Sequence, residues 1–458
     1  MENGAAGRYD LIVIGGGSAG SVIAADAVRR GARVATIEQW RVGGTCLNVG
    51  CDPTKTMIRS AEVLHLARNA ERLGLEVGEA AADWPKLMRR VAGVIDTIRG
   101  GDGDRNVRDL GIDLFKEHAR FVSATEIDAG GQRLASERIV VATGAINRPP
   151  DIEGLAEVGY ITNDDAVALP EQPKSLGIIG GGPVAVEFAQ IFARLGTRVT
   201  LFGSREQILP KEEPALAEAL TKVLRREGIR IETGVRIERV WRDGSVKRLR
   251  GQRNGETVSA SVEEVLVATG RTPHVEDLGL DVAGVSYSQR GIEVDATLRT
   301  TAPGIWAVGD VTGIYPFTHV GTYQARIVAH NLFTDGTPHK ADYRVVPWVT
   351  FTDPELARVG LTEAEARAGG YDVVTKTVRF RNLVRAITED ERDGLVKLVV
   401  DRATRQVLGG HILGARAGEL ISEVALVMRH HLPVSAICET VHPYPTRAEA
   451  LFWAAYGL

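Results

Sequence analysis

Cysteine is scarce in this chain, with three in 458 residues, which is too few for a disulfide framework. Long apolar runs are missing as well. No stretch approaches the roughly 20 residues that a bilayer-spanning helix needs. The opening MENGAAGRYD lacks the apolar centre of a secretion signal and leads directly into a strand pattern. Nor is there a basic surplus: 55 Lys and Arg stand against 59 Asp and Glu, a formal net charge of -4. Nothing in the composition therefore points to nucleic acid. These absences lead us to expect a cytoplasmic protein that partners neither a membrane nor a nucleic acid. In a reducing compartment, two cysteines close in sequence are catalytic or metal-binding before they are structural.

What is present is ordinary for a folded protein, with 44% hydrophobic and 25% charged residues. The length predicts two to four domains. Two segments resemble each other. Residues 9–20, YDLIVIGGGSAG, are an apolar strand entering a turn at Gly15, Gly17 and Gly20; residues 175–187, SLGIIGGGPVAVE, repeat the plan with Gly180, Gly182 and Ala185. Each leads through a helical pattern to a second strand, RVATIEQ at 33–39 and RVTLFGS at 198–204. Strand, glycine turn, helix and strand make a βαβ unit with a parallel sheet. The tetrapeptide VATG also occurs twice, at 141–144 and 267–270. Two nucleotide-binding halves are expected. From about Tyr343 the pattern changes to strands (VPWVTF, GLVKLVV, VLGGHIL) followed by amphipathic helices, an α+β module.

In the first motif, glycine at 15 permits the tight turn, at 17 the approach of a pyrophosphate, and at 20 close helix packing. The pyrophosphate would meet the N–H groups of a helix N-terminus. Glu38, 23 residues beyond Gly15, is placed to accept from a ribose. In the second motif the equivalent position is near Gly203, followed by Ser204 and Arg205. An acid there would favour a free 2′-hydroxyl, whereas arginine accommodates a 2′-phosphate, so NADPH is expected ahead of NADH. Otherwise Arg205 is simply a solvent-facing residue.

The segment GGTCLNVGCDPTK, residues 43–55, spaces Cys46 and Cys51 five apart. A bent first helical turn brings such a pair within disulfide range, and Pro53 suits a helix start, where a thiol becomes more reactive. The same residues also allow two unrelated buried thiols, or a poor two-ligand zinc site.

In order along the chain, these motifs resemble those of the flavin-dependent pyridine nucleotide–disulfide oxidoreductases. That is the family of dihydrolipoamide dehydrogenase, glutathione reductase and mercuric reductase. The likeness covers the glycine motifs, the C-x4-C pair followed by PTK, both VATG segments, GIWAVGD at 304–310 and the terminal HPYPTRAE. It implies an α/β fold of two Rossmann-like nucleotide-binding domains plus a C-terminal α+β dimerisation domain. The implied boundaries are 1–150 and 272–340 for FAD, 151–271 for NAD(P) and 341–458 for the interface. FAD would be bound by Gly15, Gly17, Gly20, Glu38, Gly44, Thr45, Thr143, Gly144 and Asp310. NAD(P) would be bound by Gly180, Gly182, Ala185, Ser204, Arg205 and Gly270. No resident metal is expected.

The resemblance also implies a mechanism. Cys51 is the flavin-proximal sulfur and Cys46 the interchange thiol that meets the substrate. Lys55 lies beside flavin N5 and pairs with Glu187, a cation that stabilises negative charge on reduced flavin. In a homodimer, Tyr444 and Glu449 complete the partner's site. Relatives usually carry H-x-H-P-T-x-x-E here; this chain has Tyr444 at the second histidine. Tyrosine's reference pKa of ~10 against ~6.5 for histidine, at most ~5 kcal/mol, removes a proton shuttle at neutral pH. Releasing a thiol from a disulfide benefits from that proton, while reducing a bound metal ion does not need the same delivery.

Mercuric reductases resemble this chain in having a tyrosine at this point, and VTFTDPELARVG is similar to that branch too. Their vicinal C-terminal cysteines and N-terminal metal-binding domain have no counterpart in these 458 residues. The expected function is therefore mercuric-reductase-like, with a small disulfide or a thiol-bound metal ion as final acceptor. Alternatives are dihydrolipoamide dehydrogenase or another low-mass disulfide reductase, thiol-assisted carbon chemistry, diaphorase or quinone reduction, and a redox-sensing or complex-bound scaffold. Asp52 follows Cys51 where relatives are usually apolar, and would oppose thiolate formation. Pro183 replaces a gating tyrosine, implying an ungated nicotinamide pocket. His319 reads as a packing histidine, His442 as a weak replacement base and Cys438 as a core thiol.

Overall fold

The structure is a computed structural model and describes residues 7–458. Its helices include α1 (Ser18–Arg29), α2 (Gly44–Asn48), α3 (Cys51–Arg68), α4 (Pro183–Leu195), α5 (Thr318–Phe333) and α6 (Ala417–Arg429). The chain divides into two compact units. One comprises the residues up to Pro53, Arg90–Arg148 and Gly270–Asp342; the other comprises Thr54–Arg89, Pro149–Thr269 and Tyr343–Leu458. Residues 54–89 thus group with the second unit, whereas the sequence motifs placed them with the first nucleotide-binding domain. Helix α3 is continuous from Cys51 onward and contributes its first three residues to one unit and the rest to the other.

In the first unit a five-stranded sheet has the order Ile305–Ala307, Ile139–Val141, Leu11–Ile14, Val34–Ile37, Asp113–Phe115, with every neighbouring pair parallel. Successive side chains alternate between its faces. Ile12, Ile14, Ile139, Val141 and Ile305 join a core with the small sheet that includes Phe121, Ile127 and Leu134. Leu11, Val13, Val140 and Trp306 pack instead with Ile23 and Ala27 of α1 and Ala325 and Val328 of α5. Both faces are covered, which is why these strands read as unbroken apolar runs rather than alternating ones.

The second unit contains a four-stranded parallel sheet in the order Arg230–Glu232, Arg198–Phe202, Ser175–Ile179, Glu264–Val267. A three-stranded antiparallel sheet, 236–262, adds Val240, Leu249 and Val258 to the same core. A further antiparallel sheet of five strands runs in the order Pro347–Thr350, Glu355–Gly360, Val407–Gly414, Leu395–Asp401, Val373–Arg379. Ile421 and Val424 of α6 pack on it, as do Leu451 and Ala454 near the C-terminal end. Among the described residues no helix is long and apolar enough to cross a membrane.

The two parallel sheets repeat one device. Gly15 N–H donates to Ile37 O at 2.8 Å, and Gly180 N–H to Phe202 O at 2.9 Å. Gly15 has φ 107° and a Cβ there would lie 2.4 Å from Ala142 O; Gly180 has φ 141° and would meet Ala268 O at 2.3 Å. Ala142 and Ala268 are the alanines of the two VATG segments. The repeated tetrapeptide is therefore the strand end against which each glycine turn is pressed, and only glycine tolerates both the dihedral and the contact.

Candidate active site

The first glycine turn and the cysteine segment are docked on one another. Gly43 N–H donates to Gly16 O at 2.8 Å, and a Cβ on Gly44 would stand 2.9 Å from Gly17 Cα. Cys46 lies in the short helix α2, and Cys51 opens α3. The turn between them is closed by Val49 N–H donating to Thr45 O at 3.0 Å. Gly50 makes this closeness possible, since a Cβ there would meet Thr45 O at 2.9 Å and Cys46 Cα at 3.2 Å. Buried Asn48 braces the segment, donating to Val42 O and Gly44 O and accepting from Arg99 at 2.7 Å.

The pair is in its dithiol form. Cys51 Sγ lies 3.6 Å from Thr318 Oγ1, at the start of α5. The hydrogen bond with Cys51, then burial and the Cys51 charge, push the Cys46 thiol far up; Thr318 pulls it back and the Asp52 charge adds a smaller push. Two thiols in contact cannot both ionise readily, so they titrate as a pair.

Around this core stand the other residues expected to hold FAD. Glu38 is buried and accepts from Gly16 N–H and Trp40 N–H, each at 2.7 Å. Each carboxylate oxygen keeps a second lone pair for a hydroxyl. A pocket that starts at Trp40 is lined by Arg41, Arg99, Asp102, Asp104 and Lys116. Helix α1 begins at Gly17 without a side-chain cap, and Gly17 has only Gly44 Cα near its missing Cβ, at 3.8 Å. An anion can therefore approach the first turn of α1, so the residues present fit a dinucleotide. Thr143 donates to His274 O at 2.7 Å, and Gly144 O accepts from His274 N–H at 2.9 Å. Burial pushes the Asp310 carboxyl up, and Arg271 opposes it.

Arg271, which the sequence motifs did not single out, is a cation beside Asp310 and Thr45. It lies 3.3 Å from Asp310 and 3.1 Å from Thr45 Oγ1, and it also bonds Ala145 O. Its only sequence signal is its place directly after the second VATG, beside Gly270 (φ 131°).

The second unit holds the other half of the expected machinery. Lys55, one turn along α3 from Cys51, places its Nζ 2.8 Å from Glu187 Oε2 on α4. The other oxygen, Glu187 Oε1, accepts from Phe351 N–H at 2.8 Å. Helix α4 starts at Gly182 with Pro183 in its first turn, no side-chain cap, and open space where a Gly182 side chain would be. Ala185 is fully buried beneath this turn. Ser204 and Arg205 are exposed just past the strand end, and Arg205 makes no ion pair among the described residues.

Tyr444 and Glu449 are near the C-terminal end, and neither bonds Lys55 or Glu187 among the described residues. Tyr444 is 71% exposed, and Glu449 Oε2 accepts from Thr446 N–H at 3.2 Å. His319 stacks on Phe317 with ring centroids 5.4 Å apart. Cys438 donates to Ser435 O at 3.2 Å and packs against the C-terminal core. No cluster of three or more His, Cys, Asp or Glu suited to a metal ion occurs among the described residues.

The chain matches the family profile described as pyridine nucleotide-disulphide oxidoreductase over residues 9–325. It also matches that family's dimerisation domain over residues 346–455. It is 38% identical to a mercuric reductase of Bacillus cereus over 444 residues, 97% of this chain and 70% of that protein. A dihydrolipoyl dehydrogenase of Thermus scotoductus is 37% identical over 456 residues, 98% of this chain and 97% of that protein. Among solved structures, the HOCl-induced flavoprotein disulfide reductase RclA from Escherichia coli aligns with a TM-score of 0.88 at 31% identity, covering 98% of this chain and 100% of that one. A Cu(II) complex of RclA aligns with the same score.

Proposed function

The chain belongs to the pyridine nucleotide-disulphide oxidoreductases, a FAD-dependent family that takes electrons from NAD(P)H, and from that premise we propose a mercuric-reductase-like activity. Two electrons from NADPH reduce the Cys46–Cys51 disulfide to a dithiol, and the dithiol delivers them to a thiol-bound metal ion or a small disulfide. The observation that carries this reading is helix α3, which begins at the sulfur Cys51 and presents Lys55, fixed by Glu187, one turn later.

FAD, when bound, supplies the chemistry that joins a nicotinamide hydride to a two-electron disulfide. The chain's own residues do the rest. Gly15, Gly17, Gly20, Gly44 and Thr45 admit the pyrophosphate, with Arg271 as its counter-charge. Glu38 would accept from the adenosine ribose, and Asp310 would accept from the ribityl chain. Gly180, Gly182 and Ala185 receive the nicotinamide dinucleotide at the first turn of α4. Gly203 in place of an acid, with exposed Arg205 nearby, favours NADPH. Cys46 would meet the acceptor, and Cys51 is the sulfur that would face the cofactor.

A metal ion is favoured as acceptor because Tyr444 stands where a disulfide reductase needs a base. Mercuric reductase and a disulfide reductase with a Cu(II) complex are among the similar proteins and are compatible with this reading, while a dihydrolipoyl dehydrogenase is as similar and keeps a disulfide in view. A homodimer, with Tyr444 and Glu449 completing the partner's site, is supported by the dimerisation-domain match and by exposed Leu426, Val441, Tyr444, Trp453 and Tyr456. The test is anaerobic reduction of the FAD-loaded protein with NADPH or NADH, followed by Hg(II), Cu(II), low-mass disulfides, lipoamide or a quinone. Metal-ion turnover abolished by Cys46→Ser supports the reading. Turnover of quinone alone, unaffected by Cys46→Ser, refutes it.

A further inference from the structure

We propose that Phe351 is a positioning residue for Lys55, holding the ammonium over its ring while its backbone fixes the carboxylate that pairs with it. The inference rests on the proposed function, in which Lys55 acts at the flavin. Lys55 Nζ lies 4.6 Å from the centroid of the Phe351 ring and 2.8 Å from Glu187 Oε2. Phe351 N–H binds the other oxygen of the same carboxylate at 2.8 Å. One residue therefore touches both halves of the ion pair, the cation through the π face and the anion through the main chain.

The arrangement needs Phe351 itself to be held, and α4 does so. Glu187, Gln190 and Arg194 lie on one buried face of that helix, at spacings of three and four residues. Gln190 accepts from Asp353 N–H at 2.8 Å and donates to Asp353 O at 2.7 Å. Arg194, with a 5% exposed side chain, binds Asp353 Oδ2 and Glu227 Oε1, each at 2.7 Å. Thr352 Oγ1 donates to Pro354 O at 2.8 Å. Phe351 and Asp353 are thus tied to the helix that carries Glu187, and Thr352 closes the turn on Pro354.

A lysine needs such a fixture. Its side chain is a flexible stem with a point charge, here 35% exposed, and one carboxylate contact does not define where the charge sits. Glu187 restricts distance; the ring face adds direction, because the cation is attracted only along the ring normal. A partly exposed cation–π contact is worth about 1 kcal/mol, or about fivefold in an equilibrium or a rate.

The test uses the FAD-loaded protein and four variants: Phe351→Leu, Phe351→Met, Phe351→Tyr and Lys55→Met. The leucine and methionine substitutions keep the backbone N–H and remove only the π face. Three quantities are measured: the reduction potential of the bound flavin, the single-turnover rate of its reduction by NADPH, and KM for NADPH. We expect Phe351→Leu to shift the potential negative and slow reduction about fivefold with KM unchanged. Phe351→Tyr should restore both. Combined with Lys55→Met, Phe351→Leu should add nothing further. A change in melting temperature alone, or an undiminished effect in the Lys55→Met background, overturns the proposal. Should the leucine variant fail to fold, the methionine variant decides by the same criteria. If Lys55→Met leaves the potential unchanged, the role of Lys55 falls and this inference with it. If Lys55→Met shifts it while neither apolar Phe351 variant does, only this inference falls.

Discussion

His442 is turned into its own domain by Glu423: Nε2 lies 3.0 Å from Glu423 Oε1, and Nδ1 lies 2.9 Å from Thr440 O. Its side chain is 7% exposed, whereas Tyr444, two residues on, is 71% exposed. Both ring nitrogens lie within hydrogen-bond distance of oxygens of its own domain, so the ring is committed to local contacts rather than presented to a substrate. His442→Gln is therefore expected to cost about 1 kcal/mol of stability through the lost hydrogen bonds. The pH profile of turnover should keep its shape. A vanished limb in that profile would show that His442 is the base after all.

Tyr444 leads to a gain-of-function prediction. If its phenol is what limits disulfide reduction, Tyr444→His places a group of suitable pKa where the proton is needed. General acid–base catalysis contributes about 10²–10⁴-fold, so even partial recovery should raise disulfide turnover about tenfold at pH 7. Metal-ion turnover should change by less than about twofold, because thiolate ligands leave a reduced metal ion as anions and need no proton delivered at this position. Parallel assays with Hg(II) and a low-mass disulfide measure the two. Equal effects on both acceptors would break the link from Tyr444 to substrate class.

The shift at Cys46 gives an ordered prediction. Cys51 is its largest cause, burial comes next, and the Asp52 charge is a smaller contribution with the same sign. An anion near a thiol disfavours thiolate, so removing it lowers the thiol pKa. Asp52→Asn should move the pH profile of Cys46 alkylation toward lower pH, and Cys51→Ala should move it further. Iodoacetamide trapping with peptide mapping reads both. A profile for Asp52→Asn that moves toward higher pH, or one that moves further than that of Cys51→Ala, would contradict the ranking.

The glycine turns separate the two nucleotide sites. Gly180→Ala would force a Cβ to within 2.3 Å of Ala268 O, and Gly15→Ala to within 2.4 Å of Ala142 O. Backbone must move in each case, in the unit that holds that turn. Gly180→Ala is expected to raise KM for NADPH about tenfold or more while FAD content stays normal. Gly15→Ala should instead yield protein depleted of FAD. Flavin absorbance per protein, measured beside KM, distinguishes them.

Much of the molecule is legible in its sequence because it depends on short segments. The strand–glycine–helix repeat, the VATG strands and the C-x4-C spacing are local, and each obeys a steric rule that one residue type satisfies. Elsewhere the sequence pattern is incomplete. The antiparallel sheet at 236–262 escapes it, although the last hairpin turns at Asn254–Gly255, both at positive φ, a strong hairpin signal. Its charged strands, rich in Arg, mask the alternation. The strands Glu355–Gly360 and Val373–Arg379 escape it too. Arg271, Gln190 and Arg194 are invisible for a different reason. A buried Arg or Gln looks like a surface residue until its partner is known, and Arg194 finds Asp353 159 positions away.

His411 connects the C-terminal sheet to pH. It is fully buried; Nε2 faces Leu361 O at 3.0 Å, and Nδ1 has no hydrogen-bond partner among the described residues. Arg358 and Lys397 stand in register with it on the adjacent strands, each engaged with carboxylates: Glu365, and Glu213 with Glu363. Burial first, with the positive charges of Arg358 and Lys397 added, lowers its pKa to about 4 against the Leu361 carbonyl and Glu213, which raise it. The unfolded chain takes up the proton near its ordinary pKa of ~6.5, while the folded protein refuses it until about 4. Above ~6.5 His411 contributes no pH dependence; as pH falls from there to about 4 the folded state loses stability, and below that the loss levels off. The difference amounts to roughly 3 kcal/mol over that window. His411→Gln keeps an N–H donor for Leu361 O and removes the titration, so its unfolding free energy should fall less steeply between pH 6.5 and 4.5. Urea melts of both proteins across that range measure the slopes, and identical slopes would place the acid sensitivity on other groups.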